Sequence, residues 1–188
     1  MSVTPHPVTA RIDGRGELSP ATSTVRRHVS QMRGMYLDAD AEAAALRDGD
    51  PLVYEVYQYD MPASVGELIP CTTVLHPGRI GEEFFMTKGH YHERRDRAEV
   101  YYGLQGEGRL VLAREGAAEV VALSAGTVAY VPPFWAHRTV NVGEAPLVFF
   151  AVYHGDAGHD YATIETDGFP RVVLWRDGAI EVLSRDEA

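Results

Sequence analysis

From Pro51 onward the chain consists of short runs in which apolar and β-branched residues cluster or alternate with polar ones. They read L-V-Y-E-V-Y-Q-Y, T-T-V-L, E-F-F-M-T-K, E-V-Y-Y-G-L, R-L-V-L, E-V-V-A-L, V-A-Y-V, L-V-F-F-A-V-Y, R-V-V-L-W and A-I-E-V-L. Such runs predict strands, and about ten of them at this spacing predict an all-β antiparallel sandwich or barrel. Turn residues fall between them at Pro77-Gly78, Gly106 to Gly108, Ala125-Gly126, Gly143 to Pro146 and Asp177-Gly178. In the first of these runs Tyr54, Tyr57 and Tyr59 alternate with other residues, which assigns them to packing with their hydroxyls in water.

The first fifty residues differ. Pro5, Pro7, Gly14, Gly16 and Pro20 break them into short pieces, and only Asp38-Ala-Asp40 followed by A-E-A-A-A-L-R, stopped by Gly49 and Pro51, predicts a helix, over 39–48. Residues 1–50 therefore form an extension ahead of a barrel domain, 51–188. With too few apolar positions for its own core, the extension should pack on the barrel or on a second subunit, covering a sheet edge.

Composition removes several function classes. The chain has 188 residues, 27 acidic against 17 basic, for a formal charge of −10. That sign does not suit a phosphate backbone, so nucleic acid is not an expected partner. No stretch reaches the roughly 20 apolar residues that span a bilayer, and M-S-V-T-P-H-P lacks the parts of a signal peptide. A soluble, cytoplasmic protein is expected. Cys71 is the only cysteine, so an internal disulfide and a cysteine-rich zinc site are both excluded. A metal here would need histidine and carboxylate.

T-K-G-H-Y-H-E-R-R-D-R-A-E-V-Y supplies them. In a strand His90 and His92 share a face. The six residues after His92 let the chain reverse, so Glu99 opens the next strand facing the same interior with Tyr101 beside it. His137, in V-P-P-F-W-A-H-R-T-V-N, offers a fourth donor. Three imidazoles and a carboxylate suit one divalent ion, Fe(II), Zn, Mn, Ni or Co, with positions left for two substrate oxygens. His6, His28 and His76 stand apart and read as ordinary polar side chains. Arg94, Arg95 and Arg97 read as solvated or ion-paired, whereas Lys88 and Arg138, which flank the candidate ligands, read either as added positive potential or as solvated or salt-bridged side chains.

These segments resemble the paired motifs of the cupin superfamily, the first as G-H-Y-H-x6-E-x6-G from Gly89 to Gly106 and the second as G-x5-P-x4-H-x3-N from Gly126 through Pro132 and His137 to Asn141. The gap before Glu99 is longer than in the commonest cupin pattern, and no glycine stands at Phe134 or Trp135. Together with P-G-R-I-G-E-E-F-F-M-T-K-G-H-Y-H, D-R-A-E-V-Y and D-A-G-H-D-Y, these departures resemble the cupin-type glucose-6-phosphate isomerases of archaea and some bacteria, from about Val53 to Val182, with weaker agreement in V-R-R and M-x-G-M-Y. The resemblance implies a jelly-roll barrel, a homodimer and one metal per subunit, Fe(II) first, held by His90, His92, Glu99 and His137. It implies substrate contacts from Thr73, Thr87, Gly89, Tyr153, His159 and Tyr161. Glu99, His159 and Tyr153 would carry the catalysis on a phosphorylated hexose, converting glucose 6-phosphate and fructose 6-phosphate in glycolysis and gluconeogenesis. Glu99 would act as a base, or remain a ligand during a hydride shift. The competing readings are a cupin dioxygenase using the same ligands and a non-catalytic cupin that binds a small molecule.

Overall fold

The computed structural model describes residues 7–188, and His6 lies outside them. Ahead of the first helix come β1 (Arg11–Ile12), β2 (Leu18–Ser19) and β3 (Ser23–His28). After that helix, α1 (Ala39–Arg47), come β4 (Leu52–Gln58), β5 (Leu68–Leu75), β6 (Arg79–Ile80) and β7 (Glu83–Phe84). The middle of the chain forms β8 (Glu99–Gln105), β9 (Glu107–Arg114), β10 (Ala117–Ser124), β11 (Val128–Val131), β12 (Ala136–Asn141) and β13 (Leu147–His154). A short helix, α2 (Ala162–Asp167), precedes β14 (Arg171–Arg176) and β15 (Ala179–Ser184).

All of the strand pairings are antiparallel. One layer is a six-stranded sheet in the order β11-β8-β13-β5-β4-β3, and the facing layer consists of β10-β9-β12 and β15-β14-β7-β6. The segment after β7 joins the two halves of that second layer. Asn141 donates its amide to the Phe85 carbonyl at 3.0 Å and Thr87 donates to the Thr139 carbonyl at 2.8 Å. Leu75 and Phe149 from the large sheet share one core with Leu110, Leu123 and Val140 from the other layer. The fold is the expected jelly-roll barrel. Alternation along β8 is regular, with Glu99, Tyr101 and Gly103 buried and Val100 and Tyr102 exposed. That alternation aims Glu99 and Tyr101 inward.

The N-terminal residues take part in this architecture directly. β3 pairs with β4 as the edge of the six-stranded sheet, and Val29 and Met32 are fully buried in the main core. Each such side chain stabilises the fold by about 1.5–3 kcal/mol. The helix expected over 39–48 is α1, capped by Asp38, whose carboxylate accepts from the Ala41 amide at 2.8 Å.

Two features depart from expectation. Only one helix is predicted by the sequence pattern, yet α2 forms from A-T-I-E-T-D, whose β-branched residues disfavour a helix. Asp160 offsets this by accepting from the Thr163 amide and hydroxyl at 3.2 and 2.7 Å, while Ile164 is buried. The second is Phe134, with φ +70°, at one of the two positions where the commoner motif has glycine. The backbone there is left-handed without the residue that adopts that conformation most easily.

Candidate metal centre and its cavity

His90 and His137 face each other across a two-way backbone bridge, each amide donating to the other's carbonyl at 3.2 and 3.0 Å. Their rings lie 4.4 Å apart, centre to centre. The His90–His92 segment is not a regular strand, because Tyr91 turns its backbone the other way and pairs with Asp160. His92 returns to the His90 side, its ring 5.6 Å from His90 and 5.3 Å from His137. One ligand atom from each of His90, His92, Glu99 and His137 lies within 4.8 Å of every other, and His92, Glu99 and His137 are buried.

The donors are oriented toward one another's common centre. His92 Nδ1 donates to the Arg97 carbonyl at 3.0 Å, so in the neutral ring that a bound ion would require, Nε2 carries the free lone pair. His92 Nε2 is 3.2 Å and His137 Nε2 3.0 Å from the same Glu99 oxygen. The His137 contact is close but not aligned as a hydrogen bond, so both ring nitrogens of His137, like Nε2 of His90, are buried without a hydrogen-bond partner. Orphaned imidazole nitrogens converging on a carboxylate oxygen are what a bound divalent cation would satisfy, so the residues fit the ion their types imply.

Electrostatics agree with that geometry. Burial would raise the Glu99 carboxyl, but the close His137 imidazole and the His92 hydrogen bond outweigh it and hold the group at about 2. For His90, burial and then the neighbouring imidazoles push protonation well below its ordinary range. Burial acts the same way on His92, yet the Glu99 hydrogen bond and charge reverse the outcome and raise it.

A cavity of about 250 Å³ opens in front of this cluster. Its walls include Thr73, Thr87, Gly89, His90, Glu99, Tyr101, His137, Tyr153, His159 and Tyr161, which places every candidate substrate contact on one cavity. Tyr101 stacks on Phe149 at 4.9 Å and meets the His137 ring edge-on. The His159 ring lies 4.4 Å from His90 and stacks on Tyr161 at 5.8 Å. Burial lowers the protonation of His159 and pushes the Tyr161 hydroxyl up to about 12. Tyr153 donates its hydroxyl to Gln58 at 2.6 Å. Thr87 Oγ1 accepts from the Thr139 amide at 2.9 Å, so its own proton remains free to donate.

Several assignments change or gain a reason. Tyr54, read from sequence as a packing residue, lines the cavity as well as joining the core, as does Cys71, and Gln58 also stands at the cavity wall. The inward face of β4 was legible as alternation, but which aromatic would meet the site depended on strand register. Gly89 has φ +73°, and a Cβ there would come within 2.6 Å of the Phe169 ring and 3.0 Å of the His137 carbonyl. The missing side chain makes room for that packing rather than for a ligand. Arg97 and Arg94 bind Asp156 and Arg95 binds Asp160. Lys88 pairs with Glu165, and Arg138 is buried, donating to the Lys88 carbonyl at 2.9 Å. His28 contacts the Asp50 carbonyl and His76 the Glu55 carboxylate, both away from the cluster.

A two-layered antiparallel barrel that gathers three histidines and a glutamate from two such segments defines a cupin with a metal-type site. The family model described as Glucose-6-phosphate isomerase (GPI) matches residues 26–187. The chain belongs to the glucose-6-phosphate isomerase family and is an enzyme of that family. It is 46% identical to the glucose-6-phosphate isomerase of Thermococcus kodakarensis, over 94% of each chain. It is 48% identical to that of Thermococcus litoralis, over 89% of this chain and 88% of that one. Among solved structures, one of oxalate decarboxylase is 27% identical with a TM-score of 0.45, covering 55% of this chain and 26% of that chain.

Proposed function

We propose that the protein interconverts glucose 6-phosphate and fructose 6-phosphate in a metal-dependent reaction, serving glycolysis and gluconeogenesis in the cytoplasm. The observation that carries this reading is the convergence of His90, His92, Glu99 and His137 on one point at the wall of a sugar-sized cavity. A divalent ion held there, Fe(II) first and Zn, Mn, Ni or Co within the same donor chemistry, would supply Lewis-acid polarisation of the two adjacent sugar oxygens.

The chain's own residues do the rest. Glu99 is held ionised, so it enters as a base and carries a proton between C1 and C2 of the sugar. The same pull that ionises it makes it a weak base, which is why the carbon acid must be activated. His159, kept neutral by burial, is suited to exchange a proton with the ring oxygen as the sugar opens. Tyr153, with its hydroxyl held by Gln58, orients the chain of hydroxyls, and Tyr101 closes the wall beside Glu99. Thr73, Thr87, the Gly89 backbone and Tyr161 surround the phosphate with neutral donors.

Residues 7–50, the described part of the 1–50 extension, pack on the barrel of 51–188, and the assembly is a homodimer. Its support is a block of apolar side chains on the outer face of the large sheet. Val128 lies opposite Tyr102, Tyr130 opposite Val100, and all four are exposed. Phe150 and Val152 extend the two rows on β13. A second copy of the same face would cover this patch.

The deciding experiment is conversion of fructose 6-phosphate by protein stripped with a chelator and then reloaded with each metal. Activity lost on stripping and restored by an ion supports the reading. Absence of turnover with every metal overturns it.

A further inference from the structure

We propose that Arg27 is the cation that receives the phosphate of the sugar, a role that rests on the phosphosugar reading above. The cavity walls include no lysine or arginine. A phosphate dianion must nevertheless enter a protein of formal charge −10. Of the nearby basic side chains, Lys88 is engaged by Glu165. Arg138 is buried beneath the Phe169 ring and turned onto the Lys88 carbonyl. Both are committed elsewhere.

Arg27 is not. Ser23 and Val25 of β3 line the cavity, and Arg27 stands next in the same inward row. The pairing with β4 sets Ser23 against Gln58, Val25 against Val56 and Arg27 against Tyr54, and all three partners are cavity residues. Thr73, a proposed phosphate donor, is directly opposite Val56 on the next strand. Nε of Arg27 is buried without a hydrogen-bond partner, and among the described residues no carboxylate lies within ion-pairing distance of this side chain. Its guanidinium is within hydrogen-bonding reach of the Tyr54 hydroxyl, a neutral cavity partner, and its charge is felt at the Tyr54 and Tyr161 hydroxyls, where it opposes the rise that burial causes. A planar guanidinium can give a phosphate two parallel hydrogen bonds, which tyrosine and threonine hydroxyls cannot. Arg26, the preceding residue, points outward and is spent on Glu55 at 2.8 Å. Adjacent arginines thus have opposite fates, set by the period of the strand.

The test compares Arg27→Met, Arg27→Lys and the control Arg26→Met in metal-loaded protein. The measurements are kcat and KM for fructose 6-phosphate, inhibition by inorganic phosphate, metal content and melting temperature. Arg27→Met is expected to raise both KM and the phosphate inhibition constant by about tenfold or more, the scale of one charge-assisted hydrogen bond, with kcat within about threefold of wild type. Arg27→Lys should fall between, and Arg26→Met should match wild type. Unchanged KM and phosphate inhibition in Arg27→Met overturn the assignment. So does a loss confined to kcat, metal content or melting temperature, which would make Arg27 only a support for Tyr54. If Arg27→Met does not fold, Arg27→Lys decides, since unchanged phosphate inhibition there overturns the bidentate role. If wild-type protein turns over no fructose 6-phosphate, the isomerase reading fails separately. Phosphate protection against unfolding, lost in the Arg27 variants, still reads the anion site.

Discussion

Arg97 grips Asp156 through two side-chain hydrogen bonds of 2.8 and 2.7 Å. The pair ties the turn between His92 and Glu99 to the loop that carries His159. Two further links reinforce it, from the Arg94 amide to the Ala157 carbonyl at 2.9 Å and from Arg95 to Asp160 at 2.6 Å. The three arginines, read from the sequence as solvated or ion-paired, are ion-paired, and their pairs hold the turn before Glu99 to the loop that carries His159.

Arg97→Met should leave the barrel folded but let the 155–160 loop drift. A displacement of His159 on the order of 1 Å is expected to lower kcat/KM by about 10- to 100-fold. Steady-state kinetics beside circular dichroism check this, and unchanged kinetics would remove the loop from the account.

Acid should undo the same link. The Arg97 hydrogen bonds hold the Asp156 carboxyl at about 2, below its ordinary value of 3.8. A depressed carboxyl stabilises the fold fully above its unfolded value, and that contribution is lost as pH falls from about 4 to about 2. The gap in melting temperature between wild type and Asp156→Asn should therefore be widest near neutrality and close across that window. A constant gap from pH 6 to pH 2 would contradict it.

Replacing His90, His92 or His137 by alanine should remove tight metal binding and activity together while preserving the β spectrum. His90 and His137 line the cavity and none of the three belongs to the hydrophobic core, so the barrel survives their loss. Elemental analysis and far-UV circular dichroism read the two effects. Full activity in a metal-free variant would refute the centre.

Glu99→Gln separates two chemistries. As a proton carrier, Glu99 cannot be replaced by an amide, and activity should fall by orders of magnitude even at full metal occupancy. A hydride shift predicts loss only in proportion to metal lost. Reaction of wild type in deuterated water adds a second reading, since deuterium at C1 or C2 of the product excludes an exclusive hydride shift.

Gly89→Ala should destabilise the protein by about 1–3 kcal/mol, because a Cβ must enter the space of the Phe169 ring on a left-handed backbone. Denaturant unfolding measures it, and a neutral result would mean the 87–90 segment shifts freely.

The strands and the cluster of His90, His92, Glu99 and His137 were legible because each depends on local pattern: alternation for the sheet, and residue type at fixed spacing for the cluster. Other features depend on register and contact. Tyr54 faces the cavity because β4 lies between β3 and β5, an arrangement invisible in Y-E-V-Y-Q-Y. α2 forms against its own propensity because Asp160 and the buried Ile164 hold it. Residues before α1 lack the density for an independent core, yet Val29 and Met32 enter the shared one at full burial. Sparse apolar residues can be placed well when neighbouring strands complete their surroundings.

His90 and His137 meet across a single backbone bridge although they stand far apart in the chain. Closing that bridge requires the intervening hairpins to be in register first, so the complete donor set is a late product of folding. A partly folded chain holds at most fragments of it. Metal capture should consequently report on completion of the barrel, following the slowest structural phase of refolding instead of the early collapse.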